Sequence, residues 1–125
     1  MKKILVVDDS IVNLKMAEKV LHNQEDYKAI LIPSGERALK FLSANVPDLI
    51  LLDIMMPEMD GFEVLAQIKQ NQALAQVPVA FLTADDTEET LAKAHSVGID
   101  QLIHKPFDQQ QLLTLVKKLL VGEES

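Results

Sequence analysis

Five short apolar runs constrain this chain more than any other feature: residues 4–7 (ILVV), 29–32 (AILI), 49–52 (LILL), 77–82 (VPVAFL) and 101–104 (QLIH). Side chains of a strand point alternately to its two faces, so a run that stays apolar without alternating marks a strand buried on both sides. Each run is followed by residues at helical spacing. Residues 10–22 carry Ile11, Leu14, Ala17 and Leu21 on one stripe, and Ser34 can cap a helix bearing Ala38, Leu39 and Leu42. A loop over residues 55–61 leads to Phe62, Leu65 and Ile68. Asp86 and Glu89 have capping-box spacing before a helix to about Val97 that Gly98 ends, and Asp108 with Gln111 repeats that spacing. The last helix carries Leu112, Leu115, Val116, Leu119 and Leu120 on one face. Strand then helix, five times over, predicts an α/β fold: a five-stranded parallel sheet, doubly wound, with right-handed crossovers covering both faces. The 125 residues form one domain, with no linker or shift of composition inside it.

Composition removes several function classes. With no cysteine, disulfides, zinc–thiolate sites and thiol catalysis are excluded. Twelve basic against nineteen acidic residues leave a net charge of −7, which opposes non-specific nucleic-acid binding. The apolar run after Lys2 and Lys3 lasts four residues before Asp8 and Asp9. A signal peptide needs about 7–15 apolar residues and a membrane span ~20, so the expectation is a cytoplasmic chain with no membrane partner. Neither a Walker loop nor a G-x-G-x-x-G motif is present. His22, His95 and His104 lack ligand spacing, and Met55, Met56 and Met59 read as loop and core packing.

Open parallel sheets bind ligands at the carboxyl ends of their strands. Here Asp8 and Asp9 follow the first run, Asp53 the third, Thr83 the fourth and Lys105 the fifth. Three carboxylates brought together repel one another, and Lys105 leaves two negative charges uncompensated. A divalent cation balances them, and an all-oxygen donor set suits Mg²⁺. A carboxylate nucleophile, a metal, an ammonium and a hydroxyl are the parts that phosphoryl transfer requires.

From residue 4 to about residue 121 the chain resembles the receiver domain of two-component response regulators, in ILVVDDS, PSGERALKFL, PDLILLDIMMPEMDGFEVL, VPVAFLTA and HKPF. The resemblance implies a flavodoxin-like sheet with strand order 2-1-3-4-5. It makes Asp53 the phosphoacceptor, Asp9 a direct Mg²⁺ ligand and Asp8 a ligand through water, with Asp53 and the backbone carbonyl of Met55 completing the protein ligands. Thr83 is similar to the family's switch hydroxyl, Ala84 to the small residue beside the phosphate, and Lys105 to the lysine that pairs with it. A cis Lys105–Pro106 bond is also implied. The implied function is Mg²⁺-dependent transfer from a partner histidine kinase or phosphotransfer protein, with the acyl phosphate hydrolysing later. Such a chain is consumed as substrate and is not a turnover enzyme. The resemblance places kinase contacts near residues 11–21. A downstream protein, or a second copy as a homodimer, would bind the face of the fourth helix, fifth strand and fifth helix, residues 87–121. Residues 1–121 are expected to be the receiver, residues 122–125 a short acidic tail, and no output domain is expected in the chain.

Two positions depart from that pattern. Leu102 stands where the family usually has an aromatic that moves with the threonine, and Tyr27, the lone tyrosine, lies before the second strand and cannot replace it. Met55, two residues past Asp53, cannot orient a water as an amide or acid does, which predicts slow loss of the phosphoryl group. Other classes fit less well. A haloacid-dehalogenase-type phosphatase needs an acid where Met55 stands, and a flavodoxin-like electron carrier needs a phosphate loop where Asp8 and Asp9 stand. The remaining alternative is an interaction module that signals without phosphorylation, with Leu102 as its support.

Overall fold

The computed structural model describes residues 1–85 and 87–121. Five strands, β1 (Lys2–Val7), β2 (Tyr27–Ile32), β3 (Leu49–Asp53), β4 (Val79–Thr83) and β5 (Leu102–His104), form one sheet in the order β2-β1-β3-β4-β5. Every pairing is parallel. Between and after them run α1 (Ile11–His22), α2 (Gly35–Leu42), α3 (Gly61–Lys69), α4 (Glu88–Ser96) and α5 (Gln109–Val121), with a single 3₁₀ turn at Gln72–Leu74. The predicted fold and strand order are both found.

The continuous apolar runs are explained by two cores, one on each face of the sheet. Ile4, Val6, Leu49, Leu51, Ala80, Leu82 and Ile103 join Leu14, Ala17 and Leu21 of α1 and Leu112, Leu115 and Val116 of α5. The intervening strand residues Leu5, Val7, Ile50, Leu52 and Phe81 join α2, α3 and Ala94 of α4 on the other face. Period-two alternation therefore persists, but both destinations are apolar.

Element boundaries moved where backbone pairing, rather than hydrophobicity, sets them. Lys2 and Lys3 extend β1 by pairing with Tyr27 and Lys28, although their side chains are exposed. Pro78 keeps residues 77–78 out of β4, because proline has no N–H for a ladder; its carbonyl still accepts from Ile50 N–H at 3.0 Å. Gln101 lies outside β5 although its carbonyl accepts from Phe81 N–H at 3.1 Å. Asp108 and Gln111 do form a capping box, at 3.2 and 2.7 Å. Helix α4 is capped by Thr87, whose side chain accepts from Thr90 N–H, while Asp86 lies outside the described residues, as do residues 122–125. Ile11 departs from its predicted place on the buried stripe and is 63% exposed. It opens α1 at the carboxyl edge of β1, before the helix has run back across the sheet, and Val20 takes its place in the core.

The β3–α3 loop determines how closely α3 approaches the sheet edge. Glu58 adopts φ 67°, with Met59 N–H donating to Pro57 carbonyl at 2.7 Å across it. The chain then folds back so that Gly61 N–H donates to Ile54 carbonyl at 2.9 Å, and Asp60 and Glu63 form a capping box at the start of α3. A Cβ on Gly61 would meet the Asp53 carbonyl oxygen at 2.5 Å and Ile54 Cα at 2.8 Å, both backbone atoms. Gly61→Ala is therefore expected to lower stability by roughly 1–3 kcal/mol, the usual range for overpacking a close contact. Urea denaturation monitored by circular dichroism checks this.

Candidate functional site

The sheet order brings the ends of β1, β3, β4 and the β5–α5 connection to one edge, and the charged residues of the sequence meet there. Asp8 follows β1, Asp53 ends β3, and both side chains are buried, at 0% and 1% exposure. Lys105, just past β5, reaches between them: its Nζ is 3.1 Å from Asp8 Oδ2 and 3.2 Å from Asp53 Oδ1. Ser10 N–H donates to Asp8 Oδ1 at 2.9 Å, and Met55 N–H to Asp53 Oδ1 at 3.2 Å. Asp9 is exposed. Asp8, Asp9 and Asp53 each offer a carboxylate oxygen within 4.8 Å of the others, a group that could hold a metal ion.

One atom stands apart. Asp53 Oδ2 is buried and has no hydrogen-bond partner among the described residues. An orphaned buried acceptor is costly, and a cation or an incoming group at that atom would relieve the cost. Burial pushes the Asp53 carboxyl from its ordinary 3.8 up to about 7; the Asp8 charge adds to this and Lys105 opposes it. Burial alone would lower the Lys105 ammonium, but the Asp8 hydrogen bond and the charges of Asp53 and Asp8 outweigh it and raise the pKa.

The remaining predicted residues fall around this edge in different ways. Thr83 ends β4 and is fully buried; its hydroxyl donates to Asp85 carbonyl at 3.1 Å and accepts from Asp85 N–H at 2.9 Å. Ala84 is exposed beside it. Leu102 is half-buried against the core and pairs in register with Phe81, which itself meets Phe62 edge-on with ring centroids 5.1 Å apart. Lys105 N–H donates to Thr83 carbonyl at 2.7 Å, and the Lys105–Pro106 bond is cis. Met55 is 61% exposed, whereas Met56 is buried and Met59 packs against the core. His22 and His104 are exposed, and His95 lies 3.1 Å from Asp100 at the surface.

Some residues with a part in the site leave no sign of it in the sequence. Ser10 was legible as a helix start, but its hold on Asp8 depends on loop geometry. Gly61 stands in the sequence as the end of a loop and the last residue of the DIMMPEMDG stretch, and nothing local shows that it backs the Asp53 peptide. The links among Asp85, Thr87 and Thr90 follow from the turn after β4 and have no periodic trace.

A doubly wound parallel sheet carrying a buried aspartate, two further carboxylates and a bridging lysine at its carboxyl edge defines a receiver architecture. The chain belongs to the response regulator receiver domain family, whose model matches residues 4–117. It is 40% identical over 127 residues to the alkaline phosphatase synthesis transcriptional regulatory protein PhoP of Bacillus subtilis (strain 168), covering 98% of this chain and 50% of that one. Among solved structures, the chemotaxis protein CheY4 of Vibrio cholerae superposes with TM-score 0.89 at 29% identity, covering 96% of this chain and 99% of the other. The Mn(2+)-bound form of response regulator Rcp1 superposes with TM-score 0.80 at 31% identity, covering 97% and 93%. The chain spans about half the length of the first curated relatives it matches. Among the described residues, no helix is long and apolar enough to cross a membrane.

The raised Asp53 carboxyl has a consequence for stability. Between its ordinary 3.8 and about 7 the folded chain binds a proton that the unfolded chain has released, so stability falls as pH rises through that window. In chelator at pH 8, Asp53→Asn is expected to be more stable than wild type by roughly 1–4 kcal/mol, with the difference shrinking toward pH 4. Urea titrations of both proteins across that range measure it.

Proposed function

We propose that this receiver accepts a phosphoryl group on Asp53. The reading rests on one observation: the Asp53 carboxylate has Lys105 on Oδ1 and an unpartnered, buried Oδ2 beside Asp8 and Asp9. In the transfer, an Asp53 oxygen attacks phosphorus in line. The P–O bond forms as the P–N bond to a donor phosphohistidine breaks, and the histidine nitrogen departs with the electron pair. Asp53 must be ionised to attack, and Lys105 favours that form. After transfer, Lys105 offers its ammonium to the new phosphoryl oxygens, and Thr83, once its hydroxyl turns from Asp85, offers a hydrogen bond. Ala84 leaves room beside them.

The oxygen donor set and the orphaned Asp53 Oδ2 fit a divalent ion, and the similarity to the Mn(2+)-bound Rcp1 structure supports one. We take it to be Mg²⁺, held by Asp8, Asp9, Asp53 and the Met55 backbone carbonyl. When bound, it supplies positive charge that offsets the clustered carboxylates and the arriving phosphoryl group. The donor in this reading is a histidine kinase or phosphotransfer protein, and the exchange occurs in the cytoplasm. The chain is itself the substrate and not a turnover enzyme. Its output is a protein contact through α4, β5 and α5, with a downstream target or a second copy.

Acetyl phosphate with Mg²⁺ is expected to label the chain, as read by a mass increase of one phosphoryl group, and Asp53→Ala is expected to abolish the label. Persistent labelling of that variant, or none of the wild type, would favour a module that docks without phosphorylation. Met55 projects into solvent two residues past Asp53 and has no group that orients a water. Met55→Asn is accordingly expected to shorten the acyl-phosphate lifetime by on the order of tenfold, measured as decay of the label. An unchanged lifetime would show that this side chain does not limit hydrolysis.

A further inference from the structure

The Thr83 hydroxyl has one proton, and in this structure it is committed to the Asp85 carbonyl while the oxygen accepts from Asp85 N–H. Thr83 therefore cannot donate to a phosphoryl oxygen until it leaves Asp85. Asp85 is in turn tied to the next helix. Its Oδ1 accepts from Thr87 N–H at 3.0 Å, and its Oδ2 accepts from the Thr90 hydroxyl at 2.8 Å. Thr87 is the N-cap of α4, and its hydroxyl donates to Thr90 Oγ1 at 3.2 Å. A continuous chain of hydrogen bonds thus runs from the buried end of β4 into the first turn of α4. These donors keep the Asp85 carboxyl below its ordinary value, the Thr87 N–H contributing most.

This chain of bonds matters because Leu102, half-buried and in register with Phe81, stands on β5 where the resemblance implies an aromatic partner for the threonine, while His104, in register with Thr83, is exposed. A leucine at that position has no polar atom with which to follow the threonine. We propose that Asp85 is a positioning residue: it holds the Thr83 hydroxyl in a resting arrangement and passes its release directly to the first turn of α4 through Thr87 and Thr90. This inference rests on Asp53 being the phosphoacceptor. Bonds present only in the resting arrangement oppose phosphoryl binding, so weakening them shifts the population toward the bound form.

The discriminating variant is Thr90→Val, which keeps the side-chain shape, leaves every charge at the sheet edge in place and removes the hydroxyl that donates to Asp85 and accepts from Thr87. The probe is beryllium trifluoride with Mg²⁺, a mimic of the phosphoryl group, titrated calorimetrically against the full chain. Thr90→Val is expected to tighten binding about 2- to 10-fold, the range that one hydrogen bond spans. Thr90→Ser, which restores the hydroxyl, is expected to return it to the wild-type value. In a Thr83→Val background, which has no hydroxyl to hold, Thr90→Val is expected to have no effect, an outcome that general loosening of α4 would not produce. Hydrogen exchange at the Thr87 and Thr90 amides is expected to quicken when the mimic binds the wild type. Binding indifferent to Thr90→Val, or an equal effect in the Thr83→Val background, would overturn the relay while leaving the phosphoacceptor reading intact. Failure of the wild type to bind the mimic at all would overturn both.

Discussion

The ammonium of Lys105, placed between Asp8 and Asp53, is the contact on which the site depends. It joins residues 97 positions apart in the chain and ties the ends of three strands, β1, β3 and β5, at one edge. Without it, two buried carboxylates would face each other with no compensating charge, an arrangement that burial makes severe. With it, one Asp53 oxygen is satisfied and the other is left open, so the same contact both tolerates the acidic cluster and defines its reactive position. Burial first, and the Asp8 charge after it, keep the Asp53 carboxyl raised in spite of Lys105. Asp8, Asp9 and Asp53 together form a group that could hold a further cation.

The central strands beneath that edge are buried on both sides. Ile4 to Val7, Leu49 to Leu52 and Phe81 to Leu82 are almost wholly inaccessible, each strand dividing its side chains between two helical layers. A carboxylate placed at the end of such a strand cannot withdraw into solvent. Gly61 adds to this by letting α3 begin against the Asp53 peptide, where any side chain would press on backbone. Mobility is instead possible where the fold is built from side-chain bonds, as in the turn after β4, which is organised by Thr83, Asp85, Thr87 and Thr90.

Much of this was legible in the residue order. The five apolar runs specified the five strands, of which β1, β3 and β4 are buried on both faces while the edge strands β2 and β5 are half-buried. The polar residues after the first, third, fourth and fifth runs pointed to the carboxyl edge. Asp8, Asp53 and Lys105 were each identified and are in contact; Asp9 lies within reach of both aspartates. Legibility weakened wherever the outcome depended on what lies across a gap. Ile11 fits a helical stripe, yet the first turn of α1 projects beyond its cover. Val64 lies in the core while Phe62, chosen by spacing, is only half-buried and meets Phe81 edge-on. The cap of α4 fell at Thr87 because a turn organised by Thr83 and Asp85 precedes the helix, and that turn has no hydrophobic period.

The sequence by itself determined which groups the protein carries and at which strand ends they stand, because burial on two faces forces continuous apolar runs and leaves their polar termini conspicuous. It also specified the acidic excess at those ends, which a cation could balance. Only the tertiary structure decided how those groups divide the work. Lys105 takes one oxygen of Asp53 and leaves the other bare, Met55 turns its side chain to solvent while its N–H holds Asp53, and Thr83 is already engaged by Asp85. These are matters of distance across strands and turns, and residue order alone contains no distances.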